Sequence, residues 1–330
     1  MSSSLPPAPA HATVSVVLAT SSARTVRRTL GCYRAQSVAA RVEVVVVAPA
    51  SELAAIAVDD APELARLVRV AAEEPFELAR ERARGVLAGT APWVFVGETH
   101  SFPAPTMIER LLSALDEAPR EDAPLCLTPT IDNVNPSGAT SWASLLIDYG
   151  AWGPGQRPAD VVSPPIYNAL LDRATVVARG SDLARALSPH DDSVFPLPAG
   201  SAARTRLVPE ATIGHLNVER IADFVRSKRW LGLAIGEARA SRWSRVRSVA
   251  YAAASPLIAA LLFTRYLAAM RAVGSARRLP FGTLPRLALG AIVRAAGEAQ
   301  GYLGATPASV AARLQHLEIH KADYVPGWRE

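Results

Sequence analysis

The sequence predicts an α/β fold followed by a helical region, and three observations carry that reading. Short β-branched apolar runs, TVSVVL at residues 13–18 and VEVVVV at 42–47, suit strands buried on both faces of a sheet. Helical stretches separate the runs, the order expected of a parallel sheet with right-handed crossovers. From residue 218 onward the pattern turns helical and Arg-studded.

Each element has its own signal. Residues 19–22 form a loop after the first strand, and 23–36 read as a helix. The second strand, 42–47, ends at Pro49. A short helix is expected over 62–67 and a weak third strand over 68–71. Residues 77–87 read as a helix and 93–96 (WVFV) as a fourth strand. Pro103 and Pro105 mark the start of a helix over 105–115, with Met107, Ile108, Leu111, Leu112 and Leu115 at its apolar positions. A loop over 119–123 precedes a strand at 125–129, and 133–138 carry turn chemistry. The Gly/Pro-rich segment 148–165 predicts a loop over a site. Two short helical pieces are expected within 172–187, and a strand pair or hairpin over 205–216, ending at His215. Helices follow at 218–239, 243–273 and 284–302, with one more helix and a tail within 307–330. The organisation expected is a disordered leader (1–12), an α/β domain (13–217) and a helical region (218–330). Gly297 to Gly301 reads either as a close helix contact or as a polar site.

Composition excludes several classes. The formal charge is +5, yet no basic run is interleaved with aromatics, which argues against nucleic acid as a partner. Two cysteines, Cys32 and Cys126, make neither a disulfide scaffold nor a zinc spacing; they read as buried small hydrophobes, compatible with a reducing cytoplasm. No signal peptide is visible. The most apolar stretch, 249–263, is shorter than the ~20 residues a bilayer span needs, and Pro256 interrupts it. There is no GxxxxGK[ST] loop, no GxGxxG after the first strand and no GxSxG elbow, which disfavours kinase, dehydrogenase and hydrolase readings.

The order of strand, polar loop, helix, VEVVVV strand, helix, strand, acidic motif and helix resembles the family 2 glycosyltransferases. The match rests on VSVVLAT, on Arg28-Thr29-Leu30 through Gln36, on residues 43–47 and 79–89, and on 93–115 with Glu98-Thr99-His100 in place of a DxD motif. It covers roughly residues 13–218. The resemblance implies a GT-A (nucleotide-diphospho-sugar transferase) fold, with a Rossmann-like mixed sheet and a C-terminal helical extension. It further implies a glycosyltransferase that moves a sugar from a nucleotide-sugar donor to a lipid-linked glycan or metabolite acceptor, metal-assisted and inverting. A non-catalytic GT-A-like binding module in a polysaccharide or glycolipid assembly system is the alternative.

In such an enzyme a divalent cation stabilises the charge left on the departing diphosphate. Glu98, His100 and His215 are the candidate metal ligands, and a His/carboxylate set favours Mn2+ over Mg2+. Against this stand the alternatives that Glu98 is a solvated acid at a helix N-terminus and His215 a strand-end histidine bonded to a carbonyl. Thr20 and Ser21 match the position that approaches the donor nucleoside, or are simply turn hydroxyls. Asp191 and Asp192 are the candidate general bases for the acceptor hydroxyl, or a capping loop. Trp152, Tyr167 and Asn168 are the candidate acceptor contacts, with Tyr149 a further aromatic and Trp152 alternatively an anchor for its loop.

The sequence departs from the family after the second strand. Where members carry one or two Asp, this chain reads Val47-Ala48-Pro49-Ala50-Ser51, and Arg82-Ala83-Arg84-Gly85 replaces an Asn-containing turn. In the helical region, basic residues flank the apolar stretch on both sides, which fits either an anionic membrane surface or solvated helices packed on the α/β domain. The expected place is the cytoplasm, peripheral at the inner face of the plasma membrane.

Overall fold

The computed structural model describes residues 12–56, 61–117, 126–158, 164–165, 167–188 and 205–328. The first strands form where the apolar runs predicted them. β1 (Val14–Ala19) and β2 (Val42–Ala48) are buried along their whole length. β1 pairs in parallel with β2 and with β4 (Trp93–Val96), and β2 pairs in parallel with β3 (Arg66–Ala71). The helices α1 (Ala23–Arg34) and α3 (Leu78–Ala88) cross between these strands. The short helix expected over 62–67 does not form, because pairing with β2 draws Arg66 and Leu67 into β3. The helical turn instead follows Pro49, as α2 (Ala50–Leu53).

The sheet is mixed rather than purely parallel. Beyond β4 come β7 (Leu170–Asp172), β6 (Cys126–Asn133), β8 (Thr205–His215) and β5 (Ser101–Pro103), giving the order β3-β2-β1-β4-β7-β6-β8-β5. β7 runs antiparallel to both β4 and β6, β6 and β8 are parallel, and β5 is antiparallel to β8. A mixed α/β sheet is what the sequence leads one to expect. The hairpin expected over 205–216 is one strand. Between the pairs Pro129↔Val208 and Thr130↔Thr212, residues 209–211 of β8 bulge out of the ladder, which accommodates Pro209, whose missing N–H would break a regular pairing.

α4 (Met107–Asp116) packs its Met107, Ile108, Leu111 and Leu112 into the core. The unassigned stretch after Gly138 is α5 (Ala139–Asp148), buried at Trp142, Leu145 and Leu146. α6 (Arg173–Val177) and α7 (Leu183–Ala186) are the two short helices expected.

The C-terminal helices are α8 (Ile221–Ala240), α9 (Arg245–Ala253), α10 (Ser255–Ala276), α11 (Thr283–Tyr302) and α12 (Ser309–Ile319). The helix expected over 243–273 is divided at Ala254, where Pro256 opens α10 in the first helical turn, a position that lacks an N–H partner in any case. α8 and α11 cross backbone to backbone. A Cβ on Gly232 would stand 2.2 Å from Arg294 O, and one on Gly301 2.4 Å from Leu233 O. The 297–301 stretch is thus a close helix contact, and it also holds a buried carboxylate: Glu298 is paired with Arg239 and Arg294 and accepts from the Tyr302 hydroxyl. Leu262, Tyr266, Val273 and Leu287 join the same hydrophobic cluster as β1 and β2.

Candidate metal centre at the strand ends

Glu98 leaves β4 through Gly97, where a side chain has no room: a Cβ would lie 2.9 Å from Leu18 Cδ2. The following turn is held from three sides. Gly97 N–H donates to Val17 O (3.0 Å), Asn168 N–H to Val96 O (2.8 Å) and the Thr29 hydroxyl to Thr99 O (2.7 Å). β5 then pairs with the end of β8, setting Ser101 opposite His215, and Leu216 N–H donates to His100 O (3.0 Å). This short antiparallel pair is what brings two histidines 115 residues apart into one place.

The Nε2 atoms of His100 and His215 are 3.1 Å apart, and Glu98 Oε2 lies 3.8 Å from the first and 3.5 Å from the second. A point equidistant from the three atoms is about 2.0 Å from each, which matches first-row metal bonds to imidazole nitrogen and carboxylate oxygen. Nδ1 of His215 pairs with Asn217 Oδ1 at 2.9 Å. The Asn217 amide nitrogen donates to Asn133 Oδ1 and His215 O, so its oxygen faces the ring and accepts. The proton therefore sits on Nδ1 and the lone pair on Nε2, as a ligand requires. By distance and donor chemistry, Glu98, His100 and His215 fit a divalent transition metal.

Neither bland expectation for these residues survives. Glu98 is 3 % exposed and is no solvated helix acid, and the ring of His215 pairs with a side-chain amide rather than a carbonyl.

Three donors orient the Glu98 carboxylate: the Tyr149 hydroxyl to Oε1 (2.9 Å), and Asn168 Nδ2 (2.6 Å) and the Ser101 hydroxyl (3.0 Å) to Oε2. Asn168 does this from a left-handed backbone conformation (φ 59°), which Asn tolerates better than most residues. Burial pushes the Glu98 carboxyl up to about 7, and the Glu318 charge adds to the rise. Burial, reinforced by Lys321, holds His100 well below its ordinary range and brings His215 down to about 3. Both rings are neutral at pH 7, the form that binds a metal.

Residues that the sequence did not single out complete the electrostatics. Glu318 Oε2 is 4.0 Å from His100 Nε2, and Glu318 Oε1 accepts from Lys321 Nζ at 3.4 Å. Burial opposes the charge of Lys321, but Glu318, Glu98 and Asp148 outweigh it and raise its pKa. Arg82 is buried with its guanidinium 3.5 Å from the Tyr167 ring centroid, and its Nε and Nη1 make no hydrogen bond. It supplies a fixed positive field beside the cluster, and its influence lowers the Glu98 carboxyl.

The remaining candidates are placed as follows. The Thr20 hydroxyl is buried and bonds Ser22 O and Thr25 Oγ1, a turn role at the start of α1. Ser21 Oγ is 3.3 Å from His320 Nε2. Trp152 anchors its loop edge-on to Tyr149 (6.3 Å). Tyr167 and Asn168 are buried and turned inward, Tyr167 donating to Leu187 O, so neither presents an acceptor surface; burial of Tyr167 under Arg82 and the bond of Asn168 to Glu98 are the reasons. Asp191 and Asp192 lie outside the described residues. Cys126 is buried as expected and Cys32 is half-buried.

The last described residues lie over the cluster. Thr99 donates its hydroxyl to Ile319 O (3.4 Å), Arg24 pairs with Asp323 (3.3 Å), and Trp328 stacks on Phe102 (centroids 5.7 Å apart), with the Arg28 guanidinium over both rings. The space left beside His100, bounded by Thr25, Arg28, Lys321 and Trp328, is about 10 Å3, room for one water.

No family model and no curated protein matches the chain. Among solved structures it is similar to S. aureus TarS 1–349 in complex with UDP, at 13% identity and a TM-score of 0.44 over 88% of this chain and 91% of that one. It is also similar to the mannosyltransferase PcManGT from Pyrobaculum calidifontis in complex with GDP-Man and Mn2+, at 17% identity and a TM-score of 0.47 over 94% and 89%. Likeness this distant transfers no residue and no activity.

Proposed function

We propose that the chain is a metal-assisted glycosyltransferase using a nucleotide-sugar donor, with Glu98, His100 and His215 as its metal ligands. The observation that carries this is the convergence of three neutralisable donor atoms at the C-terminal ends of parallel strands, where open α/β sheets bind their ligands. A bound divalent cation supplies Lewis-acid stabilisation of the diphosphate leaving group. The protein's own contribution is orientation and charge. Tyr149, Ser101 and Asn168 fix the Glu98 carboxylate, Asn217 fixes the His215 tautomer, and Lys321 and Arg82 add positive potential for an anionic donor. Proton removal from the acceptor hydroxyl, in an inverting transfer, falls to Asp191 or Asp192 in this reading.

A nucleoside diphosphate does not fit a 10 Å3 space, so donor entry in this reading requires the segment from Ile319 to Trp328 to lift away. Isothermal titration of Mn2+, and then of UDP and GDP in its presence, is the direct test. Micromolar, metal-dependent nucleotide binding that a Glu98→Gln variant loses supports the enzyme. The covered cluster and the missing carboxylate after β2 favour a second reading, a non-catalytic GT-A-like module. That reading stands if no nucleotide binds even to a Trp328→Ala variant, in which the stack on Phe102 is gone.

A further inference from the structure

Between Glu237 and Glu298 the chain carries ten arginines and no acidic residue. The net charge of +5 is thus +10 from this segment and −5 from all the rest. The segment comprises α9, α10 and most of α11, and it also carries most of the exposed large apolar side chains among the described residues. Val246 is 81 % exposed, Leu257 74 %, Leu261 52 %, Ile292 60 %, and Phe281, in the α10–α11 connection, is fully exposed.

On α10 these features share one face. Leu257, Leu261, Arg265 and Arg271 recur at spacings of four and six and all are exposed, whereas Leu262, Tyr266, Ala269 and Val273 point into the core. Arg245, Arg265, Arg271 and Arg278 have no ion-pair partner among the described residues. α10 is long and apolar enough to cross a bilayer. However, Arg265 sits at its midpoint on the apolar face, and the opposite face is packed on protein, so the helix suits the plane of an interface rather than a span.

We propose that α9, α10 and the Phe281 connection form a docking surface for an anionic lipid bilayer. Leu257, Leu261 and Phe281 enter the acyl boundary, and the unpaired arginines lie among the headgroup phosphates. Charge selects this occupant: Arg245, Arg265, Arg271 and Arg278 lack ion-pair partners among the described residues and the segment carries no acidic residue, so the surface is complementary to anionic lipid. The inner face of α10 reaches the candidate centre. Gly150 packs against Ala269, and the neighbouring Tyr149 bonds Glu98, so docking would set the centre beside membrane-borne molecules. The inference stands apart from the proposed chemistry, because lipid binding needs neither metal nor donor.

Flotation of the full chain with vesicles tests it. Binding to an equimolar phosphatidylcholine–phosphatidylglycerol mixture is expected to exceed binding to phosphatidylcholine alone at least about tenfold and to weaken with salt. A Leu257→Glu/Leu261→Glu variant with an unchanged circular-dichroism melt should lose about tenfold or more, and Arg265→Ala and Arg271→Ala about fivefold each. Equal binding to both vesicles, no binding to either, or wild-type binding by the double Glu variant would overturn the proposal. So would a lipid-free dimer in sedimentation velocity that the same variant dissolves, which would assign the face to a second copy.

Discussion

Glu43 and Glu98 are both buried carboxylates on the parallel half of the sheet, Glu43 near the N-terminal end of β2 and Glu98 just past the C-terminal end of β4. Around Glu43 every neighbour is a donor. Ser15 gives its hydroxyl (2.7 Å), Thr90 its backbone N–H (2.8 Å) and hydroxyl (3.0 Å), and Arg66 lies at 3.5 Å. Glu98 also has three donors, but on its far side lie the Nε2 atoms of two neutral histidines, 3.1 Å apart, with the Glu318 carboxylate beyond. Burial and hydrogen bonding alone do not separate the two. What does is the convergence of possible ligand atoms from three side chains, which a proton or a cation can bridge. Glu43 is a closed staple between strands, and Glu98 belongs to a candidate coordination set.

Exchanging each carboxylate for its amide breaks the comparison most directly. If the proposed function holds, Glu98→Gln should lower sugar transfer by about 10³-fold, because it removes the anionic ligand that reading assigns, while stability changes by only about 1 kcal/mol. Glu43→Gln should do the reverse. Its new N–H2 meets Thr90 and Ser15 donors, costing about 2–3 kcal/mol in urea unfolding, with Mn2+ affinity kept. If Glu98→Gln destabilises as much as Glu43→Gln and metal binding is intact, both are staples. A third buried pair calibrates the scale: Lys228→Met, which strips Asp148 of its cation, should cost about 2 kcal/mol, less than a fully buried pair because Asp148 is partly exposed.

The asymmetry also explains what the sequence could disclose. β1, β2 and β4 are legible because continuous apolar runs demand burial on both faces wherever they fall. β5 and β7, three residues each, carry no such signal; they exist because β8, β4 and β6 offer open edges to pair with. Glu98, His100 and His215 were legible by position in the family order. Glu318 and Lys321 were not, since only tertiary packing of the chain's end brings them within reach of residues some 220 positions earlier. Tyr167 and Asn168 are expected on the acceptor side because 164–168 matches a family segment containing an Asn and an aromatic, but buried packing uses the same residue types.

Asn217 sharpens the contrast at a smaller scale. It touches no candidate ligand atom on Nε2, yet it sets the proton on Nδ1 of His215. Asn217→Ala should reduce Mn2+ affinity by about 10–100-fold, the usual effect of losing a partner that orients a ligating histidine. Because the Asn217 side chain also donates to Asn133 Oδ1 and His215 O, the melt should be recorded beside the titration, and a loss of affinity without a tautomer change in the 15N spectrum of His215 would remove this role.

The mildest test uses protons alone. In the metal-free protein the Glu98 carboxyl is raised to about 7, while both imidazoles are depressed, His215 to about 3. Metal binding requires the carboxylate, so a proton on Glu98 competes below pH 7 and nothing competes above it. Apparent Mn2+ affinity should therefore fall about tenfold per unit as pH drops from 7 to 5, with a slope of one proton. A solvated site with ordinary histidines would instead lose affinity with a slope approaching two below pH 6.5. The same raised pKa acts on folding with a definite sign. The unfolded chain ionises Glu98 near the ordinary value while the folded chain still holds its proton, so this group's stabilising contribution is present at low pH and is lost as pH rises toward 7. Saturating Mn2+ should abolish that loss for the wild type, and in Glu98→Gln the loss should be missing from the start; a stability profile identical in all three would mean that the folded protein does not raise the Glu98 carboxyl.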